Sequence, residues 1–369
     1  MVKVCHVSSA HLADDVRIFQ KECRSLQKKG YDVYLVISGE SGEKSGVKIH
    51  GIGKVPENRI KRMLFHAQKA YKEARKIDAD IYHFHDPELL PYAVKVKKRG
   101  KKVIFDSHEN IVDIFADKKY IPTLIRFIFD PVYKFFIKKY LSRLDLIITV
   151  DSLIDKKIKK YNKNTVVVSN YPEIDEMAVD ECIQKNSGKE YICFAGGVTD
   201  QWNHLTTMKA AYRVGIKYVL CGKSSNDYLK QLMLHKEWEA VDYRGVLPHK
   251  EVMSLLKNAV AGVAIADYSN NSNWKQGTLG NTKIFEIMMA GIPIICTEFV
   301  SWKIIVDEAD CGICVEPKNI DDLIESLNFI KDHREEAKAM GERGRSKILE
   351  KYNWSLEEQK LLEAYKRLE

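Results

Sequence analysis

Short apolar runs alternate with longer stretches of helical spacing along most of the chain. In the first half, residues 2–7, 31–37, 47–52, 80–84, 103–105, 146–150 and 166–168 read as strands. The segments between them predict helices: one of about fourteen residues ending at Lys29-Gly30, then 59–78, 87–99 and 118–144. Strands that are apolar on both faces and separated by helices predict a parallel, doubly wound sheet. Residues 169–189 are polar, hold Pro172 and Gly188, and lack a period, which places a domain link there. The alternation then restarts with strands at 191–195, 217–221, 241–244 and 260–265. Glycines follow three of these strands, at Gly196-Gly197, Gly222 and Gly245. The tail from Ile320 is charged helix, and a last helix at 355–368 is long enough to reach back to the first half. The pattern is an α/β chain of two Rossmann-like domains, 1–170 and 171–353, with 354–369 crossing back.

Ligands of such sheets bind beyond the carboxyl ends of the strands. Three polar clusters lie there: His11, Asp15 and Arg17; His83, His85, Asp86 and Glu88; Asp106, His108 and Glu109. Singly, each is also explained by capping or surface chemistry, and Asp86 before Pro87 suits an N-cap. Together they point to one site. His83 and His85 share a face only in a strand, and no third ligand is fixed by spacing, so no metal is expected.

The stretch 276–296 reads as loop, helix, turn and strand. Gly277 and Gly280 allow close backbone approach. Asn281 or Thr282 caps the helix that follows. Lys283 and Glu286 fall in its first turn, and Gly291 and Pro293 stop it. A helix N-terminus preceded by small residues suits phosphate, and a carboxylate one turn on suits the neighbouring hydroxyls. That pair describes a nucleotide. The same residues also make an ordinary capped helix with a surface ion pair.

Composition narrows the partners. The 369 residues are 45% hydrophobic and 30% charged, and no apolar run approaches the ~20 residues that span a bilayer. The first residues are too polar for a signal peptide, and the eight cysteines sit mostly in strand-like runs. A cytoplasmic protein with reduced thiols is expected. Cys311 and Cys314 form a lone C-x-x-C that reads as structural. A net charge of +8 favours an anionic partner, and without zinc-finger spacing or an RNP motif nucleic acid is the weakest candidate. No full G-x-G-x-x-G supports a dinucleotide. In 118–143, aromatic and basic residues interleave, which suits either a core-facing helix or one lying on the inner face of the cell membrane.

Asp15-Val-Arg17-Ile18, the Asp-Ser-His108-Glu109 run and the stretch from Thr282 to Pro293 resemble family 4 GT-B glycosyltransferases over nearly the whole chain. The nearest branch builds capsule, exopolysaccharide or O-antigen. The resemblance implies two domains facing across a cleft and a UDP- or GDP-linked sugar donor on the second. It also implies a lipid-linked saccharide acceptor on the first, and hexosyl transfer with retention, without metal or cofactor. Carried over by position, Gly196, Gly197, Lys223, Thr278, Gly280, Asn281, Thr282 and Lys283 line the donor phosphates. Glu286 takes the ribose hydroxyls, and Val246 and Leu247 meet the base. His108, with Lys283 and Glu286, serves catalysis beside the donor sugar. Asp15, Arg17, His85 and Asp86 line the acceptor.

Three positions depart from the family pattern. Thr278 replaces the first of two glutamates, Gly197 an arginine and Asn203 a lysine. Each lost charge-assisted contact is worth roughly 1.5–3 kcal/mol. Lys283, Lys223 and Lys275 are the candidate replacements, Lys283 foremost. The departures leave two alternatives standing: a non-catalytic GT-B partner or chaperone of another transferase, and a sugar-nucleotide epimerase.

Overall fold

Runs of Val, Ile, Leu and Phe build two sheets, because each strand is apolar on both faces and helices cover both. The computed structural model describes residues 1–58, 61–108, 110–112, 123–174, 190–269 and 274–369. The chain divides into two units: Met1–Asn170 together with Trp354–Glu369, and Tyr171–Asn353.

In the first unit the strands are β1 (Lys3–Leu12), β2 (Asp32–Ser38), β3 (Gly42–Lys44), β4 (Val47–Gly51), β5 (Ile81–Phe84), β6 (Lys102–Ser107), β7 (Leu146–Thr149) and β8 (Thr165–Val167). Helix α1 runs from Val16–Cys23 into Arg24–Lys28, and α2 from Arg62–His66 into Ala67–Ile77. Next come α3 (Leu90–Lys97), α4 (Thr123–Leu141) and α5 (Ser152–Ile158). The sheet order is β3-β4-β2-β1-β5-β6-β7-β8, parallel except for the β3–β4 pair. One face packs Val7, Phe84 and Phe105 against α2 to α5. The other packs Val4, Leu35 and Ile104 against Ile18 and Phe19 of α1.

The second unit holds β9 (Tyr191–Ala195), α6 (His204–Val214), β10 (Lys217–Cys221), α7 (Asn226–Met233), β11 (Val241–Gly245), α8 (His249–Lys257) and β12 (Ala261–Ala264). It continues with α9 (Lys283–Ala290), β13 (Ile294–Thr297), α10 (Val300–Ala309), β14 (Gly312–Val315), α11 (Ile320–Asp332) and α12 (Arg334–Glu350). The order is β11-β10-β9-β12-β13-β14, all parallel. Helix α13 (Trp354–Lys366) belongs to the first unit, where Trp354, Leu361 and Tyr365 are buried.

The strand order reverses between β1 and β5 in one sheet and between β9 and β12 in the other. Such switch points are where parallel sheets open a crevice at their carboxyl ends. Five elements differ from expectation, β3 and α10 among them as additions. Strand β1 runs on to Leu12, where a loop was expected, because its end pairs again with Ser38. Helix α5 and strand β14 are additions too. β14 begins with a glycine and has only four residues, too few to register as a period. It sets Cys314 opposite Cys296, sulfurs 3.8 Å apart and unbonded, so the C-x-x-C is part of a strand.

Candidate active site

In the second unit the crests after β9 and β10 are stacked so closely that no side chain fits. A Cβ on Gly222 (φ +138°) would meet the carbonyl oxygen of Gly196. A Cβ on Gly196 (φ +148°) would meet the Lys283 ammonium, which therefore lies directly over this turn. The Lys283 Nζ is 5.0 Å from the Trp202 ring centroid and 5.4 Å from that of Phe194. Among the described residues no carboxylate lies within ion-pair distance of it. Burial lowers the Lys283 pKa, with Glu286 opposing the shift. The same ammonium, after burial, helps push the His204 pKa down to about 3.

Glu286 is half-buried one turn along α9, and its Oε1 accepts from Thr282 Oγ1 at 2.9 Å. The amide cluster ahead of it is less open than the sequence suggests. The Asn281 carboxamide accepts from the Lys283 amide (3.1 Å), and Thr278 Oγ1 accepts from the Gly280 amide (3.1 Å). Asn281, not Thr282, is the side chain that caps. The Gly280 amide, expected to hold phosphate, and the Lys283 amide beside it are thus occupied by short side chains. Thr278 also anchors the loop, its carbonyl accepting from Trp302 Nε1 at 2.9 Å. Gly197 has open space around it. Lys223 is exposed; Lys275 lies 3.8 Å from Glu316 and over the Tyr268 ring, away from this role. Val246 is 72% exposed, whereas Leu247 packs on the core.

In the first unit, alternation puts Val4, His6 and Ser8 of β1 on the face covered by α1, beside Ile81, His83 and His85 and then Ile104 and Asp106. His6 and His83 are direct register partners. The first turns of α1 have π winding: the Gln20 amide donates to the Asp15 carbonyl at 3.1 Å. Residues five apart then share a face. Arg17 and Glu22 consequently both point inward, Arg17 Nε 3.3 Å from Glu22 Oε1. Arg17 also grips Asp106 through both oxygens, at 2.7 and 2.9 Å, and donates to the Val168 carbonyl. His85 Nδ1 lies 3.4 Å from Asp106 Oδ2 and its Nε2 lies 3.0 Å from His6 Nδ1. His108 Nδ1 stands 3.4 Å from the same Asp106 oxygen, its side chain 20% exposed.

These contacts correct several acceptor assignments. Arg17 and His85 are buried and committed to Asp106; they position it and, through it, His108. Asp15 caps α1, accepting from the Ile18 amide at 2.8 Å. Asp86 is buried and does not cap the turn at Pro87; it gathers Ser8 Oγ (2.8 Å), the Ser9 amide (2.6 Å) and the Ala10 amide (3.2 Å). Burial opposes its charged form, but His11 and these donors hold Asp86 well below the usual carboxylate range. His11, which burial would keep neutral, is raised instead by Asp86. His11 and His108 meet edge to face at 5.1 Å and form the accessible rim. Glu109 lies outside the described residues.

Residues 17–171 match the family model Glycosyltransferase Family 4, and residues 175–347 match Glycosyl transferases group 1. The chain is a glycosyltransferase of the GT-B type. Solved structures of the same fold include sucrose-phosphate synthase from Thermosynechococcus elongatus (TM-score 0.76, 13% identity, covering 100% of this chain and 99% of that one). A glycosyltransferase from Rickettsia africae superposes at TM-score 0.72 with 14% identity, over 100% and 98% of the two chains. Anabaena HepE, solved in complex with UDP-glucose, superposes at 0.73 with 10% identity over both full chains. No curated protein matches the sequence.

In this glycosyltransferase the two missing family cations have different fates. Asn203, with φ +43°, donates to Asp267 at 2.7 Å, and Asp267 in turn pairs with Lys318. Gly197 leaves room, and Lys283 of α9 lies over the neighbouring Gly196. Sequence reasoning missed His6, Glu22, Trp202 and Tyr365. His6 alternates with apolar residues in β1, a signal that is readable only once β1 is set beside β5.

Proposed function

We propose that this enzyme moves a hexose from a UDP- or GDP-linked donor to a lipid-linked saccharide, with retention of anomeric configuration and no metal in the transfer step. The setting is assembly of bacterial surface polysaccharide at the inner face of the cell membrane. One observation carries the reading: a largely buried ammonium, Lys283, held over a side-chain-free turn with no carboxylate partner among the described residues. Such a cation is costly unless an anion arrives. Breaking the bond between the anomeric carbon and the diphosphate oxygen builds negative charge on the leaving group. A fixed cation at that position stabilises the charge as it grows. Glu286 takes the ribose hydroxyls, Val246 and Leu247 flank the base, and His108, braced by Asp106, orients the sugar. The likeness to HepE, a protein solved with UDP-glucose bound, supports a nucleotide-sugar donor.

The acceptor side rests on α4. Phe127, Phe129, Val132 and Phe135 are 54–79% exposed there, with Lys138 and Lys139 beside them. Aromatic and basic side chains in one short helix suit an anionic lipid surface. Residues 118–122 of the segment lie outside the described residues, and no described helix is long and apolar enough to cross a membrane.

Thermal-shift titration with UDP-, GDP- and ADP-linked sugars tests the donor. A UDP or GDP sugar should raise the melting temperature, and the anomeric proton of the product should show the donor's configuration by NMR. Inversion removes the retaining assignment. No shift with any nucleotide sugar removes the donor reading and leaves the non-catalytic partner.

A further inference from the structure

At the switch point of the first sheet, three imidazoles and one carboxylate converge in a space sealed from solvent. His6 comes from β1, His83 and His85 from β5 and its end, and Glu22 from α1. All four are buried, and their nearest ligand atoms lie within 4.8 Å of one another. Glu22 Oε2 is 3.8 Å from His6 Nδ1, 3.9 Å from His85 Nε2 and 4.0 Å from His83 Nδ1. His6 Nδ1 and His85 Nε2 are 3.0 Å apart.

Without a metal the imidazoles order themselves as a neutral chain. His85 donates to Asp106, His6 to His85, Tyr365 to His6 (3.2 Å) and His83 to Tyr365 (2.8 Å). That chain leaves Glu22 as its loose end. Among the described residues, neither buried Glu22 oxygen makes a hydrogen bond, although Arg17 Nε lies 3.3 Å from Oε1. Ionised, Glu22 and Asp106 set two buried negative charges against Arg17 alone. Protonated, Glu22 can donate only to Asp106, whose carboxylate already takes Arg17, His85 and His108. Either state costs kilocalories that a native core rarely leaves uncompensated.

We propose that His6, His83, His85 and Glu22 bind one divalent first-row metal ion, zinc by preference, that organises the first unit. Three nitrogens and one carboxylate oxygen make a four-coordinate zinc set. Tetrahedral ligands at about 2.0–2.1 Å stand about 3.3 Å apart; four of the six separations are 3.0–4.0 Å and all lie within 4.8 Å, so side-chain shifts close the set onto that geometry. The outer contacts fit as well. Ligating histidines hand their other nitrogen to a carboxylate or hydroxyl: His85 Nδ1 already faces Asp106, and His6 Nε2, protonated once Nδ1 is bound, would donate to Tyr365 instead of accepting from it. On binding, Tyr365 keeps His6 and releases His83. The ion offsets the surplus negative charge and locks His85, which holds Asp106 and hence His108. It takes no part in bond breaking, and it stands independently of the donor reading.

The test is metal analysis of the full-length protein, purified without a histidine tag and dialysed against EDTA. About one equivalent of zinc or another first-row ion per chain is expected, released to a chromogenic chelator on unfolding. Treatment with 1,10-phenanthroline should lower the melting temperature by at least about 5 °C, and zinc should restore it. Glu22→Gln and His83→Gln should each lose the ion, while His50→Gln, at the surface, keeps it. Less than about a tenth of an equivalent, with no thermal response to chelator or added zinc, overturns the proposal. So does full metal content in both site variants. Should those variants fail to fold, the stoichiometry and chelator response of the native protein decide alone.

Discussion

Replacing Lys283 by methionine separates a ligand-binding cation from a structural one. Methionine keeps most of the length and the apolar contact with Phe194 and Trp202, and removes only the charge. In the ligand-free protein the ammonium has no carboxylate within ion-pair distance among the described residues, and burial lowers its pKa. Its return there is two cation–π contacts at 5.0 and 5.4 Å, roughly 0.5–1 kcal/mol each, set against desolvation of similar size. Stability without ligand should therefore change by less than about 1 kcal/mol. With a diphosphate present, the same group supplies a charge-assisted contact worth roughly 1.5–3 kcal/mol. Affinity for UDP or GDP, whichever the enzyme takes, should then fall about 10- to 150-fold by calorimetry, since 1.4 kcal/mol is tenfold. Lys275→Met, already placed by Glu316 and Tyr268, should change affinity less than about twofold, within the range of a surface charge. Unchanged nucleotide affinity in Lys283→Met would sink the reasoning. So would a melting temperature lowered by many degrees without ligand, because that makes Lys283 a structural residue.

Glu286→Ala should weaken the nucleoside diphosphate by roughly 1.5–3 kcal/mol yet leave inorganic pyrophosphate unaffected, since the carboxylate is assigned to ribose; equal losses for both ligands contradict that role. His204 is buried with its pKa lowered to about 3 from 6.5. The unfolded chain therefore takes up the proton first, and stability is full above about pH 6.5 and lost as pH falls toward 3. Between pH 7 and 5 this group removes about 2 kcal/mol, so urea midpoints of His204→Gln should fall less over that interval than those of the parent; parallel slopes refute it. Arg17→Met leaves Asp106 and Glu22 without their shared cation, which should cost about 3–5 kcal/mol in chemical denaturation. Adding Asp106→Asn should recover part of that loss, and full additivity of the two changes would show that the pair is not coupled.

The architecture was legible because buried parallel strands are near-continuous apolar runs, and each was followed by a glycine or a helix signal. Lys283 and Glu286 were legible for a related reason: they sit in one helical turn, so sequence distance is spatial distance. The polar layer of the first unit was not. Its members are brought together by strand register, His6 against His83, and by the π winding that turns Glu22 onto the face of Arg17. Neither leaves a mark in local spacing. Arg17, His85 and Asp86 were found as candidates at strand ends, but their burial was invisible, and burial is what changes them from acceptor ligands into supports.

Six parallel strands of the first sheet, β4-β2-β1-β5-β6-β7, follow the same order as the second sheet, and the two sheets use their switch points in opposite ways. In the second unit the crests after β9 and β10 are glycines. The long side chain over them, Lys283, has no counter-ion among the described residues, which leaves room and charge for a ligand. In the first unit the equivalent position is filled from within, by His6, His83, His85 and Glu22, with Tyr365 of α13 laid over them. A ligand of the first unit is therefore displaced outward, to the level of His11 and His108. Those two rings remain accessible, and both are oriented by carboxylates, Asp86 and Asp106, that the buried layer holds in place. Selectivity for the acceptor should accordingly reside in the rim formed by the extended end of β1 and the residue after β6, while the conspicuous His and Asp residues beneath determine how rigidly that rim is held.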